Sequence, residues 1–332
     1  MTTARTVPVT VEMDGEELDA DDAWHEVRAV GLRRLAVDAF VRFRYADGFS
    51  SSRALALQAS LSVVPFLLAL SGLVADLDEE KPARVLASTV AAVSPGSGDS
   101  DAVARAVRDS DASELSGEVA LWVGLLLALA SMTTAMAQVE RGVNRIYGIR
   151  RDRPAARKYG RAAVLTGVLV LPVGLGFLLL VAGGAFADAM ADGYGWSGST
   201  VTAWNWARWP VGVVLVLFTV AVLLDHAPRR RQPGLSWLAV GAAVAVLLTL
   251  ASTALLAVYV AYSPSFGDVY GPLGGVVALL LWTLLSAVAL FYGAALCAQL
   301  EACRAGQPQP VHDDPGRPDH VTVEDDGSRA PG

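Results

Sequence analysis

Residues 119–139 read VALWVGLLLALASMTTAMAQV, and residues 140–161 read ERGVNRIYGIRRDRPAARKYGR. The first stretch carries no charge over 21 residues, and the second carries eight Arg and Lys. At about 1.5 Å per residue an uncharged helix of that length covers about 30 Å, the hydrocarbon thickness of a bilayer. A basic segment directly after such a helix marks the side that stays in the cytoplasm. This junction sets both the class of the protein and the direction of the chain.

The same reading extends outward to the rest of the chain. Residues 54–75 and 162–187 are also free of charge. Residues 209–224 are too short alone and reach span length if the helix starts near Trp204 and Arg208 snorkels to the interface. The long uncharged runs 232–267 and 269–300 hold two more spans. The expectation is an all-α polytopic bundle of six transmembrane helices, near 54–75, 119–139, 162–187, 204–224, 235–260 and 273–298. Sorting the 26 Arg and Lys by flank puts 21 on one side and five on the other. That alternation predicts a multi-pass protein of the cytoplasmic membrane with both termini inside. Trp196, Trp204, Trp206 and Trp209 fall together at the expected outer interface.

Composition agrees. The chain is 53% hydrophobic and 18% charged, against about 25% charged in soluble domains. Its mean hydropathy is +0.43. A disordered, fibrous or disulfide-rich secreted chain is excluded. The net charge of −7 belongs to the ends: residues 1–22 set seven acids against Arg5, and residues 301–332 set seven acids against three Arg. Both ends are poor in apolar residues, so 1–22 and 306–332 are expected to be acidic and disordered around a membrane domain at 23–305. The first twenty residues lack the basic and apolar regions of a cleavable signal peptide. Cys297 and Cys303 form no metal-binding pattern with the scattered histidines.

Several features could carry function. Residues 23–46 have a helical pattern rich in Arg, and an N-terminal interfacial helix there would offer Arg33, Arg34, Arg42 and Arg44 to anionic lipid. The first span contains Gln58, Ser62 and Pro65, where a proline kink frees a carbonyl and hydroxyls can bond between helices. Thr134, Gln138 and Arg141 lie along one stripe of the second span, which could line a path or form the wet last turn of a helix. The stretch from Ser263 to Gly275 joins the last two spans. Its Tyr270, Gly271, Gly274 and Gly275 read as a structural turn or as a lipid or solute contact. No phosphate-binding glycine loop, His-x-Glu pair or nucleophile elbow is present, and no ionisable side chain lies at mid-depth in a span. No cofactor is expected.

Together these residues resemble the YihY/virulence factor BrkB family. The resemblance rests on Ser62 to Pro65 in the first span, on Asn144-Arg145-Ile146-Tyr147-Gly148 followed by Arg153-Pro154, and on Tyr270-Gly271-x-Leu273-Gly274-Gly275 leading into a span with Trp282 and Gly293-Ala294. It covers about residues 25–305. It implies a six-helix bacterial or archaeal cytoplasmic-membrane protein of unsettled activity, in a family once labelled ribonuclease BN. Where members often carry Gly-Ala-Glu-x-Asn, this chain has Gly293-Ala294-Ala295-Leu296-Cys297.

Two functions stand open on the sequence. One is a transport-like or lipid-handling membrane protein, motivated by kinked spans and small residues. The other is a non-catalytic envelope scaffold, motivated by the 41-residue outer loop at 77–117. Its helix-like stretches near Lys81–Val93 and Asp99–Arg108 could dock a partner. Expected partners are membrane lipids, with a homo-oligomer or an envelope protein besides, and no nucleic acid. A nuclease would need clustered metal-binding carboxylates or histidines, and none is visible.

Overall fold

The computed structural model describes residues 5–13, 18–76, 85, 117–149, 153–262 and 274–313. Asp19 caps the first helix, α1 (Ala20–Val30), by accepting from the backbone N–H of Asp21 at 2.9 Å and of Asp22 at 3.1 Å. The interfacial segment is two helices rather than one. Gly31 adopts φ 87°, which no helix allows, and α2 (Leu32–Tyr45) starts after it in a new direction. Leu35, Ala39, Arg42 and Phe43 form the buried face of α2, while Arg33, Val37, Phe40 and Arg44 are exposed on the other.

Six long apolar helices follow. They are α3 (Gly48–Asp76), α4 (Gly117–Ile146), α5 (Ala155–Phe177), α7 (Gly198–His226), α8 (Leu235–Tyr262) and α9 (Gly274–Arg304). A π-helical turn, Leu178–Ala182, continues α5 directly into α6 (Gly183–Tyr194). All six expected spans are present. Most run on past the apolar stretch into the basic flanks, so the bundle has a polar collar at that end.

Each span packs on its neighbour in sequence, and α9 closes on α3. The result is a ring of six in the order α3, α4, α5, α7, α8, α9. Close approach depends on glycine at two joints. A Cβ at Gly124 of α4 would lie 2.7 Å from the Cα of Ala69 in α3. A Cβ at Gly293 of α9 would lie 2.5 Å from the carbonyl oxygen of Gly241 in α8. Such small-residue joints hold helices together where lipid tails remove the hydrophobic drive.

Only 11% of the apolar window of α8 is buried in protein, and 29% of that running from α5 into α6, so much of the spans' surface is left to lipid. The buried core lies instead at the basic end, around Leu35, Phe43, Ile146, Tyr147, Trp237, Phe291 and Leu300. There water is the competing solvent and burying apolar surface does stabilise.

The described stretches of the two ends, 5–13 and 305–313, reach that core, unlike the disorder expected there. Arg5–Thr6 (β1) pairs antiparallel with His312–Asp313 (β2), and Val7, Thr10 and Leu18 are buried. Carbonyl and N–H groups of this segment find partners on the helices, so its polar sequence does not keep it in solvent. Residues 1–4, 14–17 and 314–332 lie outside the described residues, as does nearly all of the 77–117 loop.

Candidate functional site

The end of α4 organises the basic end of the molecule. Gly148 has φ 77°, its N–H donates to Arg145 O at 3.0 Å, and the N–H of Ile149 donates to Asn144 O at 2.8 Å. This paired arrangement closes a helix through a left-handed glycine and satisfies its last carbonyls. The remaining carbonyls are left free for other partners. Tyr147 O accepts from Thr10 N at 3.1 Å, and Ile146 O accepts from Arg42 Nε at 2.9 Å. A side chain at Gly148 would collide with the carbonyl of Pro8, so the glycine also makes room for the N-terminal strand.

Six charged or polar side chains gather above this helix end. Tyr147 Oη donates to Glu301 Oε1 at 3.0 Å. Glu301 Oε2 lies 2.8 Å from Arg230 Nη2, and the Arg230 guanidinium sits 4.8 Å from the centre of the Tyr147 ring. Arg42 extends its Nη2 to Pro8 O at 3.1 Å and to Thr10 Oγ1, and its Nη1 to Gln299 Oε1 at 3.4 Å. Arg230 Nη2 also reaches Val11 O at 3.3 Å. The side chains of Arg230 and Glu301 are 3% and 1% exposed, and Arg42 is 0% exposed. Arg230 therefore has a carboxylate partner, whereas buried Arg42 is held by neutral acceptors alone.

The electrostatics follow from that burial. Desolvation pushes the Arg42 guanidinium down to about 10, while Glu301 and Tyr147 nearby act to hold its charge. Burial and the Glu301 carboxylate push the Tyr147 phenol well above its ordinary value. A second ionic group stands beside the first. Arg153 Nη1 pairs with Glu140 Oε2 at 3.0 Å, and Arg161 Nε lies 3.9 Å from Glu140 Oε1. Arg153 also donates to Pro228 O at 3.3 Å, and Asn144 Oδ1 accepts the N–H of Arg229 at 2.7 Å. Burial lowers the Arg153 guanidinium, and neighbouring Arg161 adds to the effect.

The residues singled out in the sequence separate into groups. Asn144, Tyr147 and Gly148 converge on this network, whereas Arg145 forms an exposed pair with Asp47 at 3.0 Å. Arg42 faces protein rather than lipid, because the amphipathic register of α2 turns it inward with Leu35 and Ala39. Arg33, Arg34 and Arg44 are exposed. Ser62 Oγ donates to Ala59 O at 2.6 Å, and Thr134 Oγ1 to Ser131 O at 2.7 Å, so both hydroxyls serve their own helices. Helix α3 continues through Pro65. Gln58 and Gln138 are half-buried, and Gly274 is buried at the start of α9 with Gly275 half-buried beside it. Tyr270 and Gly271 lie outside the described residues. A bond between helices does occur near Ser62, from Ser60 to Thr283 at 3.0 Å.

Sequence reading missed Glu301, counted there among the acids of the tail, and Arg230, counted there as a flank charge. It also missed Thr10 and Gln299. The available signal was position: Gln299 and Glu301 follow the last span without any break in helical pattern. Among the described residues no group of three His, Cys, Asp or Glu could hold a metal ion.

The sequence model of the virulence factor BrkB family matches residues 39–316, most of the chain and all six apolar helices. The chain belongs to the BrkB family. Among BrkB relatives, a membrane protein of Chromohalobacter salexigens is 27% identical over 84% of this chain and 65% of its own length. A membrane protein of Idiomarina loihiensis is 29% identical over 58% of this chain and 65% of its own length. Bacillus subtilis YfkH, whose name calls it ribonuclease-like, is 25% identical over 53% of this chain and 64% of its own length. The chain thus spans just under two thirds of these relatives. No solved structure matches it. With six apolar helices and membrane-protein relatives, this BrkB member is a multi-pass membrane protein.

Proposed function

We propose that the chain is a transport-type protein of the cell membrane that moves lipid or a solute, with both termini in the cytoplasm. The observation that carries this reading is the buried ionic clamp of Arg42, Tyr147, Arg230 and Glu301. It ties the N-terminal strand, α2, the end of α4, the α7–α8 connection and α9 together at the basic end. A passive anchor has no use for buried charge, which costs several kcal/mol per ion to desolvate. Ion pairs at the wet end of a helix bundle, however, can be exchanged for water. They make a two-state contact of the kind that opens and closes. A ring of six spans supports the same reading. The alternation of 21 against five basic flank residues supports the orientation. The outward face of α2 sets exposed Val37 and Phe40 between Arg33 and Arg44, which suits an anionic leaflet. No nuclease step is proposed, because Glu140 and Glu301 are each engaged by arginine.

The test is purified protein in vesicles, assayed for transbilayer movement of fluorescent lipids and for flux of a panel of small solutes. Tyr147→Phe removes one bond of the clamp and should raise the rate of whatever moves. If neither wild type nor Tyr147→Phe moves lipid or solute, the transport reading fails and a non-catalytic envelope scaffold takes its place.

A further inference from the structure

The end of the bundle away from the clamp holds a half-buried cation, Arg208, with which no carboxylate among the described residues pairs. Arg208 lies in α7, 18 residues before His226, or about 27 Å along the helix axis. With His226 at one edge of a hydrocarbon layer about 30 Å thick, Arg208 lies just inside the other, next to the headgroup layer that holds lipid phosphates. Its guanidinium enters a notch in the neighbouring helix at the π-helical turn. A Cβ on Gly183 would stand 3.0 Å from Nη1, and one on Gly184 would stand 3.5 Å from Nη2. Two successive glycines thus admit the guanidinium against the helix backbone.

The bonding of Arg208 is incomplete. Nη1 makes one long bond of 3.4 Å to Leu179 O. Nε is buried with no partner, and no carboxylate among the described residues pairs with this side chain. The cation lies 5.2 Å from the centre of the Trp209 ring, which offsets only part of its desolvation. Carbonyl capping does not explain the vacancy. Trp204 Nε1 already donates to Gly183 O at 2.7 Å, and Nη1 takes Leu179. What remains is the edge formed by Nε and Nη2, two parallel donors spaced for two oxygens of one anion. Asn205 stands one turn back on the same helix, and its Oδ1 is also buried without a partner. Rotating that amide by half a turn presents its NH2 group as a further donor.

We propose that Arg208 and Asn205 form a binding site for a phosphate group, set against the π-helical turn between α5 and α6. The phosphate is that of a lipid headgroup or of free inorganic phosphate. This goes beyond the transport reading and does not depend on it, since occupancy needs no movement across the membrane.

The test uses the full chain in a phosphate-free maltoside detergent. Binding of dihexanoylphosphatidylglycerol, inorganic phosphate and phosphate-free dihexanoylglycerol is measured by calorimetry. At least one phosphate probe should bind, and dihexanoylglycerol should not. Arg208→Gln should weaken binding by about tenfold or more, with Arg208→Lys between it and wild type. Asn205→Asp places a tethered carboxylate beside the guanidinium and should weaken binding similarly, which decides the matter if Arg208→Gln does not fold. Preference for the phosphatidylglycerol identifies a lipid site, and equal binding of inorganic phosphate identifies a free-anion site. The proposal is overturned if neither phosphate probe binds wild type. It is also overturned if dihexanoylglycerol binds as well as its phosphorylated counterpart, or if the folded variants bind as wild type does.

Discussion

Replacing Glu301 by Gln is the sharpest perturbation of the clamp. The amide matches the carboxylate in shape and can still accept from Tyr147, so packing is preserved and only charge is lost. Arg230, at 3% side-chain exposure, then remains buried without its carboxylate partner. Stripping one partner from a buried ion pair costs about 3–5 kcal/mol, because the other charge stays desolvated. For a domain somewhat smaller than this one, each kcal/mol lowers Tm by about 2–4 °C, so Glu301→Gln should lower it by roughly 6–20 °C. The assay is thermal unfolding in detergent, followed by tryptophan fluorescence. Arg230→Met removes the stranded cation, so the double variant Glu301→Gln/Arg230→Met should recover about 2 kcal/mol relative to the sum of the two single changes. A Glu301→Gln protein that melts within a degree or two of wild type would refute the reasoning. So would a double variant showing no coupling, since either result means that water, and not Glu301, neutralises Arg230.

Other consequences follow from the same geometry. Gly148→Ala forces a left-handed residue and a collision with Pro8 O, so it should cost about 2 kcal/mol and release the N-terminal strand to limited proteolysis. Gly124→Ala sets a methyl against the backbone of Ala69 and should cost about 1–3 kcal/mol by prising α3 from α4, read as a lower Tm. The Tyr147 phenol is raised when folded, so its contribution is intact below the ordinary phenol value of 10.0 and is lost as pH rises beyond it. Arg42, lowered to about 10, acts in the opposite sense, because the unfolded chain keeps that proton longer. Stability should therefore fall more steeply above that pH in wild type than in Tyr147→Phe. Cys303 is part-exposed at the basic end, so an impermeant maleimide should label it in inverted vesicles and not in intact cells; labelling of intact cells would reverse the orientation.

The sequence by itself determined the six spans, because a bilayer imposes a local rule. About twenty consecutive residues must do without charge, and that can be counted along a string. The same rule stops short of the true end of α4, since the expected span closes at residue 139 whereas the helix runs on to Ile146 and ends through Gly148. Only the tertiary structure decided what that helix end touches. Arg42 and Gln299 are 257 positions apart and bonded, as are Tyr147 and Glu301 at 154 positions. Lateral packing fixes which helix ends adjoin, and no period in the chain records it. Arg42 shows the consequence. By composition it belongs with Arg33, Arg34 and Arg44 as a lipid-facing charge. One turn of α2 directs it inward, where the carbonyls of Pro8 and Ile146 replace water. Arg208 is a second case, since only the packing of a neighbouring helix shows that its guanidinium lies against a notch formed by two glycines beside a π-helical turn.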